Sequence, residues 1–412
     1  MWQIEQRYMN LWHKYNQKQW LNYAEGGDFN LREIDNEIYR LLGEGSDSAD
    51  FCGRKQQIWA QISQRKLVDK HPDAARLYNR LDLGNRAGYR HSEDDTDVQI
   101  ARRMREDVIQ LMRVRNRLSR QREFCSYVDL VFFSQELQRD KTIKMISDFV
   151  DSNLPTARKL ISDYQISWQS WFSDLKTIGK TPKNYDPQMC AAELLEKLGL
   201  SRFLDRITVV ASEDGFGFCS PFDIPTDVRV LISSKPSMMQ MRTLFHELGH
   251  ALGHAANTGE GLHKTFTRSH DEFMAVVGER IGIEIMASEK QREHLQQIAL
   301  LEYVRCGLKS LFEQQVWEQP QQAEKLYEEY FSKLGLEIQH PQLWAMDTFM
   351  SLDPVYNHNY VMGQIVAERT LKHLQSQYGD DHQIWGSWLL ENYYLSGRSE
   401  SLQDKLHGVV NI

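Results

Sequence analysis

Residues Thr243–Glu279 read TLFHELGHALGHAANTGEGLHKTFTRSHDEFMAVVGE, and their reading decides the fold. The run holds His-Glu-x-x-His at His246, Glu247 and His250, and a second run delivers Glu272, 22 positions after His250. On a helix, residues four apart share a face, so both imidazoles can reach one ion while Glu247 leans over its open position. Zn²⁺ in a hydrolase takes three protein ligands and one exchangeable water, whose pKa it lowers toward neutrality. Two histidines leave one ligand to be found. A helix beginning near Ser269 presents Glu272 from its first turn, and the intervening 257–264, with Gly259 and Gly261, lets the chain turn back. Leu244, Phe245, Leu248 and Ala251 surround the ligands with apolar bulk. The expectation is one Zn²⁺ ion held by His246, His250 and Glu272, with Glu247 as the base.

His254 stands one further turn along. Three histidines on successive turns span about 12 Å of helix axis, against Zn–N bonds of about 2 Å, so one ion cannot collect all three. His254 is expected beside the ligands or at the surface. The metzincin pattern has a glycine three residues after the second ligand and a histidine three further on. Gly253 meets the first requirement, but Ala256 occupies the second position, which excludes that pattern. Short motifs also arise by chance. Here a β-branched run, Val228–Ile232 (VRVLI), leads in and an acid-bearing helix follows.

The chain has 412 residues, 41% hydrophobic and 26% charged, which are globular values and exclude general disorder. Net charge is −8 with no sustained basic stripe, so a nucleic-acid partner has no electrostatic support. The arginines of 102–122 are spaced along one helix and read as a solvated or salt-bridged face. No stretch approaches the 18 apolar residues of a membrane span, and MWQIEQRYMNLWHKYNQ lacks the apolar core of a signal peptide. A cytoplasmic protein without a membrane partner is expected. Five cysteines, Cys52, Cys125, Cys190, Cys219 and Cys306, lack paired spacing and fit free thiols in a reducing compartment.

Residues 1–175 read as successive helices. Trp2, Tyr8, Leu11, Trp12, Tyr15 and Trp20 recur near helical spacing as a core seam. YRHSEDDTD (89–97) reads as a loop in which Asp95 or Thr96 caps the next helix, and a later helix opens at Ser126 or Tyr127. Pro155 is expected to interrupt a helix and begin its successor. Between 180 and 237 the texture changes: ITVVA (207–211), the glycine and aromatic run 215–219, and VRVLI predict a small sheet. Its last strand, just before the zinc helix, is a candidate edge for pairing with an extended peptide, or a structural hairpin. Helices return over 289–315, 321–334 and 341–349.

DPVYNHNYVMGQIVAERT (353–370) then opens with a helix-start signal at Asp353–Pro354. Tyr356, Tyr360 and Gly363 fall on one side at i, i+4 and i+7. Phenols and an imidazole on a water-facing turn can donate hydrogen bonds to an oxyanion; tyrosines that satisfy themselves by packing are the alternative.

Together these pieces resemble the helical zinc peptidases that include thimet oligopeptidase, oligoendopeptidase F, the Taq-type carboxypeptidases and angiotensin-converting enzyme. HELGHALGH looks like their zinc helix, and Glu272 with Glu279 looks like their third-ligand helix. YNHNYVMGQ is similar to the tyrosine-bearing segment that closes over substrate in the oligopeptidases and Taq-type carboxypeptidases, and RNRLSRQREFCSYVDLVF (115–132) to part of their N-terminal half. The likeness departs at DTFMS (347–351), which has no histidine where the oligopeptidases usually carry one; His358 is the candidate replacement. It implies a mainly α, two-lobed fold with a deep substrate channel and a small sheet next to the zinc helix. One catalytic domain over 1–412, with sub-lobes 1–179 and 180–412, is expected. The implied activity is zinc-dependent hydrolysis of short peptides at internal bonds, with Tyr356, His358 or Tyr360 at the oxyanion. A carboxypeptidase, an inactive peptide-binding scaffold and a hydrolase of non-peptide amides are the alternatives. Arg229, Arg242, Arg268 and Arg280 are the candidate captors of a terminal carboxylate.

Overall fold

The computed structural model describes residues 2–44, 51–82, 87–179, 185–213 and 215–407. Helices dominate, with one three-stranded sheet, so the mainly α expectation with a small sheet holds. The chain forms two compact units. One comprises Met1–Ala60, Leu175–Ala299 and Met362–Ile412; the other comprises Gln61–Asp174 and Leu300–Val361. Each crossing lies inside a helix: Gly53–Asp69, Trp171–Leu175, Glu289–Val316 and His358–Tyr378. The sub-lobe division expected at 179/180 meets residues 180–184, which lie outside the described residues.

In the first unit the opening helix, Trp2–Ala24, buries Tyr8 and Trp20 of its aromatic seam, with Tyr8 edge-on to Trp59 at 5.7 Å, while Leu11, Trp12 and Tyr15 are half-buried. The sheet consists of β1 (Ile207–Ser212), β2 (Phe218–Asp223) and β3 (Asp227–Ser233), in the order β1-β3-β2. β3 runs parallel to β1, with Ile207 opposite Val228, and antiparallel to β2, with Cys219 opposite Val230. This corrects the edge-strand expectation for VRVLI. β3 is the central strand, its ladder taken on both sides, and β1 and β2 are the edges. Alternation of side chains identifies a strand but carries no information about its place in the sheet.

In the second unit Thr96 caps the helix Asp97–Arg120 through a reciprocal pair with Gln99, and Asp95 instead binds Arg103. Ser126 caps Tyr127–Ser134, accepting from the Asp129 amide at 3.2 Å. Arg103, Arg105, Arg115 and Arg117 of the arginine row form salt bridges, and one of them is interior: Arg115, 2% exposed, donates to the Ser351 carbonyl at 2.8 Å and lies 3.4 Å from Asp69. Tyr127 Oη also donates to Asp69 at 2.6 Å. Although burial alone would raise it, Arg65 and Arg115 hold the Asp69 carboxyl far below the ordinary carboxylate range.

Pro155 does not divide its helix, which runs unbroken over Arg139–Asp163. An interior proline costs about 3 kcal/mol. Buried Ile146 and Val150 before it, and Ala157, Leu160 and Ile161 after it, keep one continuous apolar face in place, and tertiary packing overrides the local break. Among the described residues no helix is long and apolar enough to cross a membrane, and none of the five cysteines is paired.

Candidate metal centre

Two helices of the first unit build the site, Met238–Ala256 with the motif and Arg268–Met286 with the third acid. Ser237 caps the first by accepting from the Gln240 amide at 3.0 Å, and Thr267 caps the second by accepting from His270 at 3.1 Å. Leu244 and Phe245 are fully buried, each stabilising the seating of the motif helix by roughly 1.5–3 kcal/mol. The helices approach backbone to backbone at Gly249 and Gly278. A Cβ at Gly249 would lie 2.5 Å from the Met274 carbonyl oxygen, and one at Gly278 would lie 2.5 Å from Gly249 Cα. Any larger residue there would push Glu272 away from the histidines.

The return loop is tied at both ends. Asn257 Oδ1 accepts from the Gly259 amide at 2.8 Å, and its Nδ2 donates to the Lys264 carbonyl at 3.1 Å. The buried Glu5 carboxylate accepts from the Leu262 amide at 2.8 Å.

The result is one cluster. His246, His250 and Glu272 each offer a donor atom, and these atoms lie within 4.8 Å of one another. His246 Nε2 is 3.4 Å and His250 Nε2 is 3.9 Å from the Glu272 carboxylate oxygens. Tetrahedral zinc with bonds near 2 Å separates its ligand atoms by roughly 3.3 Å, so the spacing suits a small divalent ion. Outward from the cluster, His246 Nδ1 lies 3.4 Å from Glu279 Oε2, and Glu279 Oε1 accepts from Arg242 Nε at 2.8 Å. His250 Nδ1 meets Asp271 Oδ1 at 3.0 Å. Each ring thus turns Nε2 toward the cluster and Nδ1 toward a carboxylate, the arrangement that fixes the tautomer and raises the basicity of a metal-ligating histidine. Donor types, spacing and outer carboxylates all fit a bound metal.

Burial disfavours charge on the two rings, yet the surrounding acids prevail. His246 is lifted to about 10 by Glu272 and Glu279, and His250 to about 9 by Asp271 and Glu272. Asp271 is the residue the sequence reading missed. It also lies 3.2 Å from His254 Nε2, so His254 is a buried neighbour of the ligands and not a surface residue. Against the effect of burial, His250 and His254 hold Asp271 well below the ordinary carboxylate range. Asp271→Ala should weaken metal affinity about 10–100-fold while Asp271→Asn, which keeps an acceptor for Nδ1–H, retains most of it; competition with a chromophoric chelator measures both.

Glu247 lies beside the cluster, 7% exposed, and burial pushes its carboxyl up while the His250 and His246 rings pull it back. The backbone of Gly217, just before β2, passes against it: a Cβ there would lie 2.6 Å from Glu247 Oε1.

No protein-family model and no curated protein sequence matches the chain. Solved structures do. The carboxypeptidase of Pyrococcus furiosus has a TM-score of 0.72 at 12% identity, over 99% of this chain and 95% of that one. PZ peptidase A has 0.66 at 15%, over 97% and 82%. The metallocarboxypeptidase 1 of Trypanosoma cruzi has 0.65 at 13%, over 99% and 94%. The chain shares its fold with these three peptidases.

Within this fold, Tyr356, His358 and Tyr360 belong to the second unit. The helix-start signal at Asp353–Pro354 is not used, and the helix is His358–Tyr378. Val355 sits at φ 57°, a conformation unfavourable for a β-branched residue, while its amide donates to the fully buried Glu313 at 3.1 Å. Glu313 also accepts from Asn357 Nδ2 at 3.3 Å, and burial raises its carboxyl to about 8. The Tyr356 and Tyr360 rings lie 5.4 Å apart and both meet Phe349, at 5.0 and 6.3 Å. The water-facing expectation does not hold for His358. Its ring is fully buried and stacked on Phe132, and its Nε2 is 2.5 Å from Gln135 Oε1. Burial, with Arg65 nearby, lowers it to about 3, so it stays neutral.

Proposed function

We propose that the protein is a zinc-dependent peptidase that cleaves short peptides at internal bonds. The observation that carries this reading is the buried His246–His250–Glu272 cluster with Glu247 at its side and a carboxylate behind each histidine. When bound, the ion supplies Lewis acidity that polarises the scissile carbonyl and acidifies the attacking water. His246, His250 and Glu272 hold it, oriented by Glu279 and Asp271. Glu247 takes the proton from the attacking water and returns it to the leaving amine nitrogen, and its burial-raised pKa suits a group that must both accept and donate. A purely structural zinc site closes its fourth position with a ligand and has no use for a base.

β2 supports a peptide substrate. It is an edge strand whose approach passes Glu247 at Gly217, so an extended chain pairing along it brings a backbone carbonyl toward the base. The oxyanion role is assigned to Tyr356 and Tyr360 by the resemblance of YNHNYVMGQ, with His358 as a buried support of that segment. The protein acts in the cytoplasm on free peptides, without nucleic acid or membrane.

For internal cleavage, the supporting observation is that two candidate captors of a terminal carboxylate are engaged. Arg229 is bound twice by Asp227, at 3.0 and 2.8 Å, and Arg242 is held by Glu279. Mass spectrometry of a ten-residue peptide and its C-terminally amidated form should show the same internal cuts in both. Stepwise loss of C-terminal residues that amidation abolishes would make the protein a carboxypeptidase. Metal-loaded protein that cuts neither peptide would leave a scaffold, or a hydrolase of other amides that acylated amino acids would reveal.

A further inference from the structure

The stretch Gly215-Phe216-Gly217-Phe218 leads into β2 with both glycines pinned. A Cβ at Gly215 would lie 2.1 Å from the Ile232 carbonyl oxygen, and one at Gly217 would meet Thr243 Cγ2 at 2.3 Å as well as Glu247. Successive residues of an extended chain face opposite sides. Gly217 faces the motif helix, and Phe216 and Phe218 face the opening helix, where Tyr23 and Trp20 stand. Phe216 is 47% and Tyr23 is 52% exposed, and their rings meet edge-on at 5.6 Å. Both touch Phe218, at 6.2 and 5.2 Å, and Trp20 stacks behind Phe218 at 6.3 Å.

Two exposed rings beside a third are an unusual use of aromatic surface, and contiguous apolar patches on soluble proteins mark places where something binds. Each exposed ring already rests edge-on against a neighbour, so a guest costs little ordering entropy there. Its position relative to the base identifies the guest. A peptide pairing along β2 repeats the strand's alternation. Where one substrate side chain points toward Glu247 alongside Gly217, the next points to the face of Phe216, Phe218 and Tyr23, at the roughly 5 Å spacing of cross-strand neighbours.

We propose that Phe216, Tyr23 and Phe218 form a substrate subsite that takes a large apolar or aromatic side chain within two residues of the scissile bond. This rests on the peptidase reading above and adds its specificity. The glycines explain why the subsite is built here. With Gly217 the chain comes close to the base, and between Gly215 and Gly217 only Phe216 projects.

The test walks a single Phe through an otherwise Ala-based quenched fluorogenic peptide, using the full-length, zinc-loaded protein. One position within two residues of the cut should favour Phe over Ala by about tenfold in kcat/KM, the scale set by an apolar side-chain contact in an enzyme pocket. Phe216→Ala and Tyr23→Ala should each bring that ratio down several-fold, and Phe216→Trp should keep it. Phe172→Ala, at an aromatic 51% exposed on Arg305, should leave the ratio unchanged. The ratio, unlike the absolute rate, does not move when a variant merely loses active protein. No favoured position, or a preference that survives Phe216→Ala, overturns the subsite. So does a variant that changes only the oligomeric state in sedimentation, which would make the patch a self-association face. If the wild type cuts no peptide in the set, the peptidase reading itself fails and the subsite falls with it.

Discussion

Glu247→Gln is expected to retain one bound zinc per chain and to lose about 10²–10⁴-fold in turnover, the contribution of a positioned general acid–base. The substitution keeps the shape of the side chain in a place with little room to move. Glu247 is buried with the Gly217 backbone against it, and glutamine fills the same volume. What disappears is the capacity to accept a proton from water. His246, His250 and Glu272 are untouched, so metal content by atomic absorption should match the wild type. Unchanged turnover would remove Glu247 from the mechanism, and lost metal would show that it acts as a ligand. Inactive protein with full metal content is the one combination that fits a base.

Removing the third ligand should act on a different observable. Glu272→Ala leaves two histidines, and a site of that kind no longer competes for zinc at low concentration. In the wild type a chelator should lower the thermal midpoint and added zinc should restore it. A ligand present at 1,000 times its dissociation constant stabilises the folded state by about 4 kcal/mol. In Glu272→Ala both shifts should vanish, together with activity, while the helical circular dichroism stays. The helix Arg268–Met286 is held mainly by residues other than the candidate ligands. Phe273, Met274, Ala275, Val276 and Val277 are all buried, and Thr267 caps it. A zinc-dependent shift that persists in the variant would mean that another group supplies the third ligand. Apart from Glu247, the neighbouring carboxylates are already engaged, Asp271 with His250 and His254, and Glu279 with Arg242 and His246.

Much of the site was legible in the sequence because it is encoded locally. His246 and His250 share a helix face by their spacing, and the cap residues Thr96 and Ser126 act on amides three positions away. β1 and β3 were visible in their β-branched runs, and β2 only in the glycine and aromatic run at its start. Glu279 carried a readable signal, two helical turns beyond Glu272, though not the identity of its partners. Asp271 carried a weaker one, since its role depends on meeting His250 and His254 across a helix pair, and adjacency to Glu272 does not reveal that. Pro155 and Pro354 misled because local preferences yield to tertiary contacts: in one case a cost of about 3 kcal/mol yields to burial of a continuous apolar face. In the other, a buried glutamate holds Val355 in a conformation that the chain alone avoids.

By itself, then, the sequence pointed to the helical class, to His246, His250 and Glu272 as one candidate metal cluster with Glu247 beside it, and to the position of the small sheet just before the motif helix. All of these follow from periodicities and caps that act within a few residues. Tertiary structure alone decided that β3 lies between β1 and β2, that the backbones of Gly249 and Gly278 meet, and that Asp271 and Glu279 stand behind the two histidines. It also decided that His358 is interior and that Phe216 joins Tyr23 across nearly 200 residues of chain. Such contacts join segments distant in the chain, and which of the many possible pairings forms depends on which packing buries the most apolar surface without orphaning a polar group, a property of the whole assembly of helices and not of any window along it.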